Sequence, residues 1–308
     1  MLTGAPPSSP SGSAVFHPRH TNGILLGGAL AAWAFVFTAL LVARGHTQAV
    51  SLSALACYLV AAVLFGLGCL FAYWTYARLT LRYVLDRNGL AIHWGFIRQV
   101  IPLDNIERVV PGPPGFPLRV EGLNWPGHHV GRGFVERIGE TLFYSTHSSP
   151  EELLYVVTST DAYAVSVPDG ALFTAEVQAR QKEGAAVALR QMPRRTLLAA
   201  QPFWQDGLAQ LLALAAIILC AATFGVVYAR YADLPESLAM SFPPLAVTRV
   251  AAKSELLSLP TTAFGLLLIN LILAFVIHAW ERMAAHLLLI ALVGLEAVFL
   301  VGAAIAVS

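Results

Sequence analysis

Residues 49–77 read AVSLSALACYLVAAVLFGLGCLFAYWTYA: 29 consecutive positions without one charged side chain. An α-helix rises 1.5 Å per residue, so this run is more than long enough for a hydrocarbon core of about 30 Å. Four further stretches are long and apolar: Gly23–Ala43, Gly207–Ala229, Leu256–Trp280 and Met283–Ser308, the last with Glu296 as its one charged side chain. Composition agrees. Charged residues are 12% of the 308-residue chain and apolar ones 57%, against about 25% and 45–50% in soluble domains. Water-facing surface needs charge, and most of this chain has none to offer. The net charge of +1 supplies no field for nucleic acid, and a nucleic-acid partner is not expected. The lipid bilayer is the first partner.

The spans pair through short links. Arg44–Gln48 joins the first two and Glu281–Arg282 the last two, which forces antiparallel hairpins. With the N-terminus cytoplasmic, the inner flanks carry Arg19, Arg78, Arg82, Arg190, Arg194, Arg195 and Arg282, and the outer flanks Arg44, Arg230, Arg249 and Lys253. That excess of basic residues orients the chain with its middle region in the cytoplasm. The expected plan is a disordered tail over 1–22, a transmembrane hairpin over 23–77 (spans 23–43 and 49–77), a cytoplasmic domain over 78–195, and a second membrane region over 196–308. That second region holds spans 207–229, 256–280 and 283–306, with an outer loop over 230–255.

The middle segment has 13 basic and 12 acidic residues, most of the charge of the chain. Its apolar period shortens from helical to alternating, the mark of strands. Strands are expected at Thr80–Asp86, Leu90–Trp94, Phe96–Leu103, Phe116–Val120, His129–Phe134, Thr141–Thr146, Leu153–Thr158 and Ala162–Val167. An amphipathic helix opens at Pro168-Asp169, with Asp169 suited to the N-cap and Phe173 and Val177 on one face. The expected fold class is an α + β membrane protein: five transmembrane helices with an inserted antiparallel β barrel or sandwich, capped by a helix.

These elements resemble the pleckstrin-homology (PH) plan. The run Tyr83-Val84-Leu85-Asp86-Arg87-Asn88-Gly89-Leu90-Ala91-Ile92 is similar to the opening hairpin of bacterial PH-like domains, as are Gly95, Ile101-Pro102-Leu103 and Asn105-Ile106. Asn124-Trp125-Pro126-Gly127, Gly131-Arg132-Gly133 and the stretch from Thr158 to Phe173 resemble blocks of membrane-anchored members. The C-terminal part, through Leu234-Pro235, Phe242, Lys253, Leu259-Pro260 and Asn270, resembles an uncharacterised membrane module found in relatives of peptide-toxin immunity proteins. There Ser241-Phe242 and Ala246–Arg249 depart from that module's His-Phe and Gly-x-x-Asp elements. The resemblance implies a membrane-anchored PH-like scaffold with a binding, regulatory or assembly role, its partner a protein or a second copy of the chain.

Candidate site residues are few. PH domains that bind phosphoinositides surround their first hairpin loop with basic side chains, and here Arg87 is the single one, which argues against a specific phosphoinositide site. Trp125 and Arg132 mark a candidate binding loop whose glycines serve the turn. His128 and His129 are strand neighbours that point to opposite faces and cannot share a metal. His278 and His286 fall at similar depth near the inner surface and read as interfacial, with a proton or metal site as the alternative. Glu296 lies about 21 Å into the bilayer from the last turn, and an intramembrane carboxylate is a functional hypothesis in itself. Asn270 on the preceding span is its expected partner. Glycine-rich phosphate loops, nucleophile elbows and His-Glu-x-x-His are absent from the sequence, so neither an enzyme nor a cofactor or metal is expected. The alternative is a small transporter or membrane enzyme built on Glu296 and Asn270.

Overall fold

The computed structural model describes residues 12–18, 22–115, 120–184, 191–195, 201–242 and 247–308. The chain forms two compact units: Met1–Trp33 with Leu67–Ala200, and Ala34–Gly66 with Gln201–Ser308.

Among the described residues, five helices are long and apolar enough to cross a membrane. Helices α1 (Gly23–Thr47) and α2 (Leu52–Leu79) are the expected hairpin, α1 running on to Thr47 and α2 starting later, at Leu52, and ending at Leu79. A Cβ at Gly27 would stand 2.4 Å from Thr75 Oγ1, so glycine there permits the close approach. Along the same pair, Thr38 Oγ1 donates to Ala61 O at 3.4 Å and the Phe35 and Phe65 rings meet edge to face.

In the first unit, strands β1 (Ala14–Phe16), β2 (Arg82–Leu85), β3 (Gly89–Trp94) and β4 (Ile97–Pro102) pair antiparallel in that order, and β11 (Met192–Arg195) completes the sheet beside β4. The turn between β2 and β3 is closed by Asp86 Oδ1, which accepts from Asn88 N and Gly89 N. A second sheet has the order β5 (Ile106–Pro111), β9 (Leu154–Thr158), β10 (Ala162–Val165), β8 (Gly139–Ser145), β7 (His128–Val135), β6 (Glu121–Trp125). Alternation explains why β10 is buried on both faces. Tyr163 and Val165 enter a core with Tyr83, Leu85, Ile92, Ile101 and Phe173, while Ala162 and Ala164 join Phe143, Tyr155 and Val157 on the other side. Helix α3 (Gly170–Glu183) closes the first core with Phe173 and Val177, and Asp169 caps it by accepting from Leu172 N at 2.9 Å, as its sequence predicts.

Four expectations change. The two sheets do not close into a barrel. The second is not wholly antiparallel, since β10 runs parallel to β8. Part of the expected disordered tail, Ala14–Phe16, is an edge strand on β2, held by Phe16 packing edge to face on Phe173. Strand β6 and the strand β5 were not expected: Pro126-Gly127, with Gly127 at φ 76°, is the turn of the β6–β7 hairpin. The expected strand at 116–120 falls, except for Val120, outside the described residues.

In the second unit, α4 (Gly207–Arg230), α5 (Ser258–Ile277) and α6 (Arg282–Ala306) share a core of Ala216, Cys220, Ala263, Leu267, Ala274, Leu289 and Leu292. Small residues at the contact let the helices approach, as membrane packing favours. The expected outer loop contains a hairpin, β12 (Ser237–Phe242) and β13 (Val247–Ala252), and Lys253 Nζ pairs with Glu236 at 2.8 Å beside it.

Candidate functional site

Three helix ends meet at the foot of the α4–α5–α6 bundle. Asp206 stands just before α4 in extended backbone, the geometry of an N-cap, and its Oδ1 accepts from Leu208 N at 3.1 Å and Ala209 N at 3.2 Å. His278 is the C-cap of α5. Glu281 caps α6, and Arg282 and His286 follow on its first turns, four apart and so on one face. The other carboxylate oxygen of Asp206 gathers all three side chains: His278 Nε2 at 2.9 Å, His286 Nε2 at 2.8 Å and Arg282 Nε at 2.6 Å. Asp206 is 3% exposed and both histidines are buried, whereas the Arg282 side chain is 65% exposed. The imidazoles lie edge to face with centroids 6.0 Å apart, and Phe203 covers His278 at 5.7 Å. Burial alone would raise the Asp206 carboxyl. The bonds from His278, Arg282, Ala209 N and His286 outweigh it and hold the group well below the usual carboxylate range.

The sequence reading treated His278 and His286 as interfacial and did not include Asp206. A signal was present: an aspartate directly before an apolar run is a helix-start mark, and the expected topology puts it on the same membrane face as the Glu281–Arg282 turn.

Glu296 and Asn270 are not brought together. Asn270 Nδ2 donates to Leu266 O of its own helix at 2.8 Å. Glu296 is 0% exposed, and neither of its oxygens reaches a hydrogen-bond partner. Its polar neighbour is the Cys220 thiol on α4.

Trp125 packs on α2, with its ring 5.7 Å from Phe71 and 5.6 Å from Trp74. Arg132 is exposed on β7 opposite Glu121, and the two border a cleft of about 540 Å³ with Phe134, Glu140 and Asp161. Close strand approach sets Gly131 there, since a Cβ would lie 2.2 Å from Glu121 O. His128 and His129 do face apart. His128 Nε2 accepts from Trp94 Nε1 at 2.7 Å, and His129 Nδ1 pairs with Asn124 Oδ1 at 2.7 Å. Burial, then the charge of Arg78 and the neighbouring His129, pushes His128 down to about 4. In the first hairpin loop, Arg87 Nε donates to Gly184 O at 3.4 Å.

No curated protein and no solved structure matches this chain. Residues 81–181, which run from the start of β2 into α3, match the family model of the bacterial PH domain. The chain thus combines a region similar to the bacterial PH domain with five helices apolar enough to cross a membrane, which is compatible with a membrane protein that carries a PH-like domain.

Proposed function

We propose that this chain is a multipass protein of the bacterial plasma membrane whose PH-like domain faces the cytoplasm and docks a protein segment carrying basic and apolar side chains. The observation that carries the reading is the cleft on β7 and β8. Phe134 is 71% exposed there, among the carboxylates Glu121, Glu140 and Asp161, with Arg132 as the one base lining it. An exposed aromatic side chain in a cleft with a polar rim is a feature that recognition surfaces use. The first hairpin loop supports the same choice from the other side. Asp86 closes it on itself and its Arg87 already serves Gly184 O, so it offers no cluster of bases to inositol phosphates. A transport role for Glu296 has less support, since that group is enclosed and Asn270 bonds elsewhere.

The test is site-specific photocross-linking from position 134 of the full chain in native membranes, with position 87 as comparison. The expected result is one discrete product from 134, identified by mass spectrometry and abolished by Glu140→Arg. Saturable binding of phosphoinositide vesicles that depends on Arg87, with no product at 134, would overturn the reading. Orientation is tested by Ser148→Cys: labelling by an impermeant thiol reagent in intact cells would place the domain outside.

A further inference from the structure

We infer that Asp206, His278 and His286 form a binding site for a divalent transition metal, a two-histidine, one-carboxylate set assembled from the ends of α4, α5 and α6.

The argument starts from an excess of donors. A carboxylate offers about four lone-pair directions. Asp206 faces five donors: two backbone N–H groups on one oxygen, and His278, His286 and Arg282 on the other. To donate, each imidazole must carry its proton on Nε2, and both then compete with a guanidinium for one oxygen. Without that proton, the same Nε2 atoms present lone pairs, which is the form in which histidine binds metals. One cation in place of the two Nε2 protons, which shift to the Nδ1 atoms of the neutral imidazoles, turns two competing donors into ligands. It leaves the carboxylate with Arg282 and the two α4 amides, a number it can accommodate.

The distances suit this exchange. Metal–nitrogen and metal–oxygen bonds are about 2.0–2.2 Å, so ligands at right angles around one ion stand about 3 Å apart. The two Nε2–Oδ2 separations are 2.9 and 2.8 Å, close to that value as they stand. The three ligand atoms all lie within 4.8 Å of one another. Two histidines and a carboxylate on one face of an ion is the arrangement of octahedral iron, manganese, cobalt or nickel sites with open positions, and a modest opening would admit tetrahedral zinc. Imidazole nitrogen disfavours calcium and magnesium, which take oxygen sets. Cys220 is 14 residues along α4, about 21 Å away at helical rise, so thiolate is not part of the set.

The surroundings also fit. All three ligands sit at helix ends fixed by capping and packing, which holds a site in place better than loops do. The Arg282 side chain, in contact with Asp206, is the member of the cluster that reaches solvent. It is also a cation 2.6 Å from the liganding oxygen, and it must oppose a metal there.

The test uses the full chain in nanodiscs, stripped with chelator and titrated with Co²⁺ or Cu²⁺. The expected result is one equivalent per chain, with the weak visible bands of a nitrogen–oxygen set and no thiolate charge-transfer band. Pulsed electron paramagnetic resonance of the Cu²⁺ form should count two coordinated imidazoles, a reading that needs no variant. His286→Gln should weaken binding by more than about 100-fold, beyond what loss of an outer-shell partner costs. Arg282→Gln should tighten it several-fold. Substoichiometric uptake by folded wild-type protein would overturn the assignment, and so would a bound ion with no imidazole signal or an affinity unchanged by His286→Gln.

Discussion

The PH-like domain and the three-helix bundle bury polar side chains in opposite ways. In the domain they are paired off locally. Tyr83 Oη donates to Tyr144 O at 2.7 Å and accepts from Ser166 N at 3.1 Å. Gln99 donates to Tyr163, His128 accepts from Trp94, and His129 takes Asn124. The Tyr155 hydroxyl and Arg180 Nε depart from that pattern, with no partner. In the bundle, polarity is concentrated at two points. Asp206 holds five donors, while Glu296 has only the weak thiol of Cys220 beside it. Distributed pairing makes a fold specific and leaves little to regulate. Concentrated, mismatched polarity inside an apolar helix bundle is costly for stability, and it is retained where a site needs it.

The largest expected effect is at the crowded point. Asp206→Ala removes the acceptor that ties three helix ends and the N-cap of α4, leaving two buried histidines facing each other without a carboxylate. Truncating one member of a buried charge network costs on the order of 3–5 kcal/mol. Thermal unfolding of the full chain in detergent should show it as a drop in midpoint far larger than that of Asp169→Ala, where an exposed cap alone is lost, worth about 1 kcal/mol. Equal drops would mean that the cluster contributes no more than a cap.

The second effect tests the orderly region. His128 is buried and neutral, with its proton affinity lowered from 6.5 to about 4. A histidine depressed in the folded state stabilises fully above its unfolded value, and that contribution disappears as pH falls from about 6.5 towards 4, because only the unfolded chain takes up the proton. At about 1.36 kcal/mol per pH unit the contribution reaches at most about 3 kcal/mol. His128→Gln keeps an acceptor for Trp94 Nε1–H and cannot titrate in this range. Its unfolding midpoint should fall less steeply between pH 6.5 and 4 than that of the wild type. Parallel acid profiles for the two proteins would show that His128 carries no such linkage.

These differences also mark what could be read from the chain. Signals that act within a few residues were legible: the long apolar runs of α1, α2, α4, α5 and α6, the Asp169 cap with Phe173 and Val177 four apart, and the Asp86–Gly89 turn. Features made by distant partners were not. Ala14–Phe16 becomes a strand because β2 offers an edge some 70 residues on, and nothing in its Ser- and Pro-rich surroundings announces that. Asn124-Trp125-Pro126-Gly127 has the composition of a loop, yet pairing with β7 makes Glu121–Trp125 a strand. Asp206 meets His278 and His286 across 72 and 80 residues, so each looks like an ordinary membrane-boundary residue until the helix ends converge. The pairing of Glu296 with Asn270 failed for the reverse reason. Similar depth put them within reach, but Asn270 found a nearer acceptor in its own helix.

The smallest effect, and the one that decides what Glu296 is for, comes from replacing it. Had its carboxyl bridged two helices, Glu296→Leu would lose about 1 kcal/mol, the scale of one intramembrane hydrogen bond. Its oxygens meet no hydrogen-bond partner stronger than the weak thiol of Cys220, so the sign should reverse. A buried polar group left unsatisfied costs about 1–3 kcal/mol, and leucine fills a similar volume without that cost. Glu296→Leu should therefore raise the unfolding midpoint in detergent by a few degrees. Glu296→Gln, which retains a polar head and adds donors, should not. A midpoint order with leucine lowest would mean that the carboxyl has a partner in the membrane, such as water or an ion, and would restore the transport reading. A leucine variant that is more stable but fails to complement a deletion strain would show that the chain tolerates an unsatisfied acid because its activity requires one there.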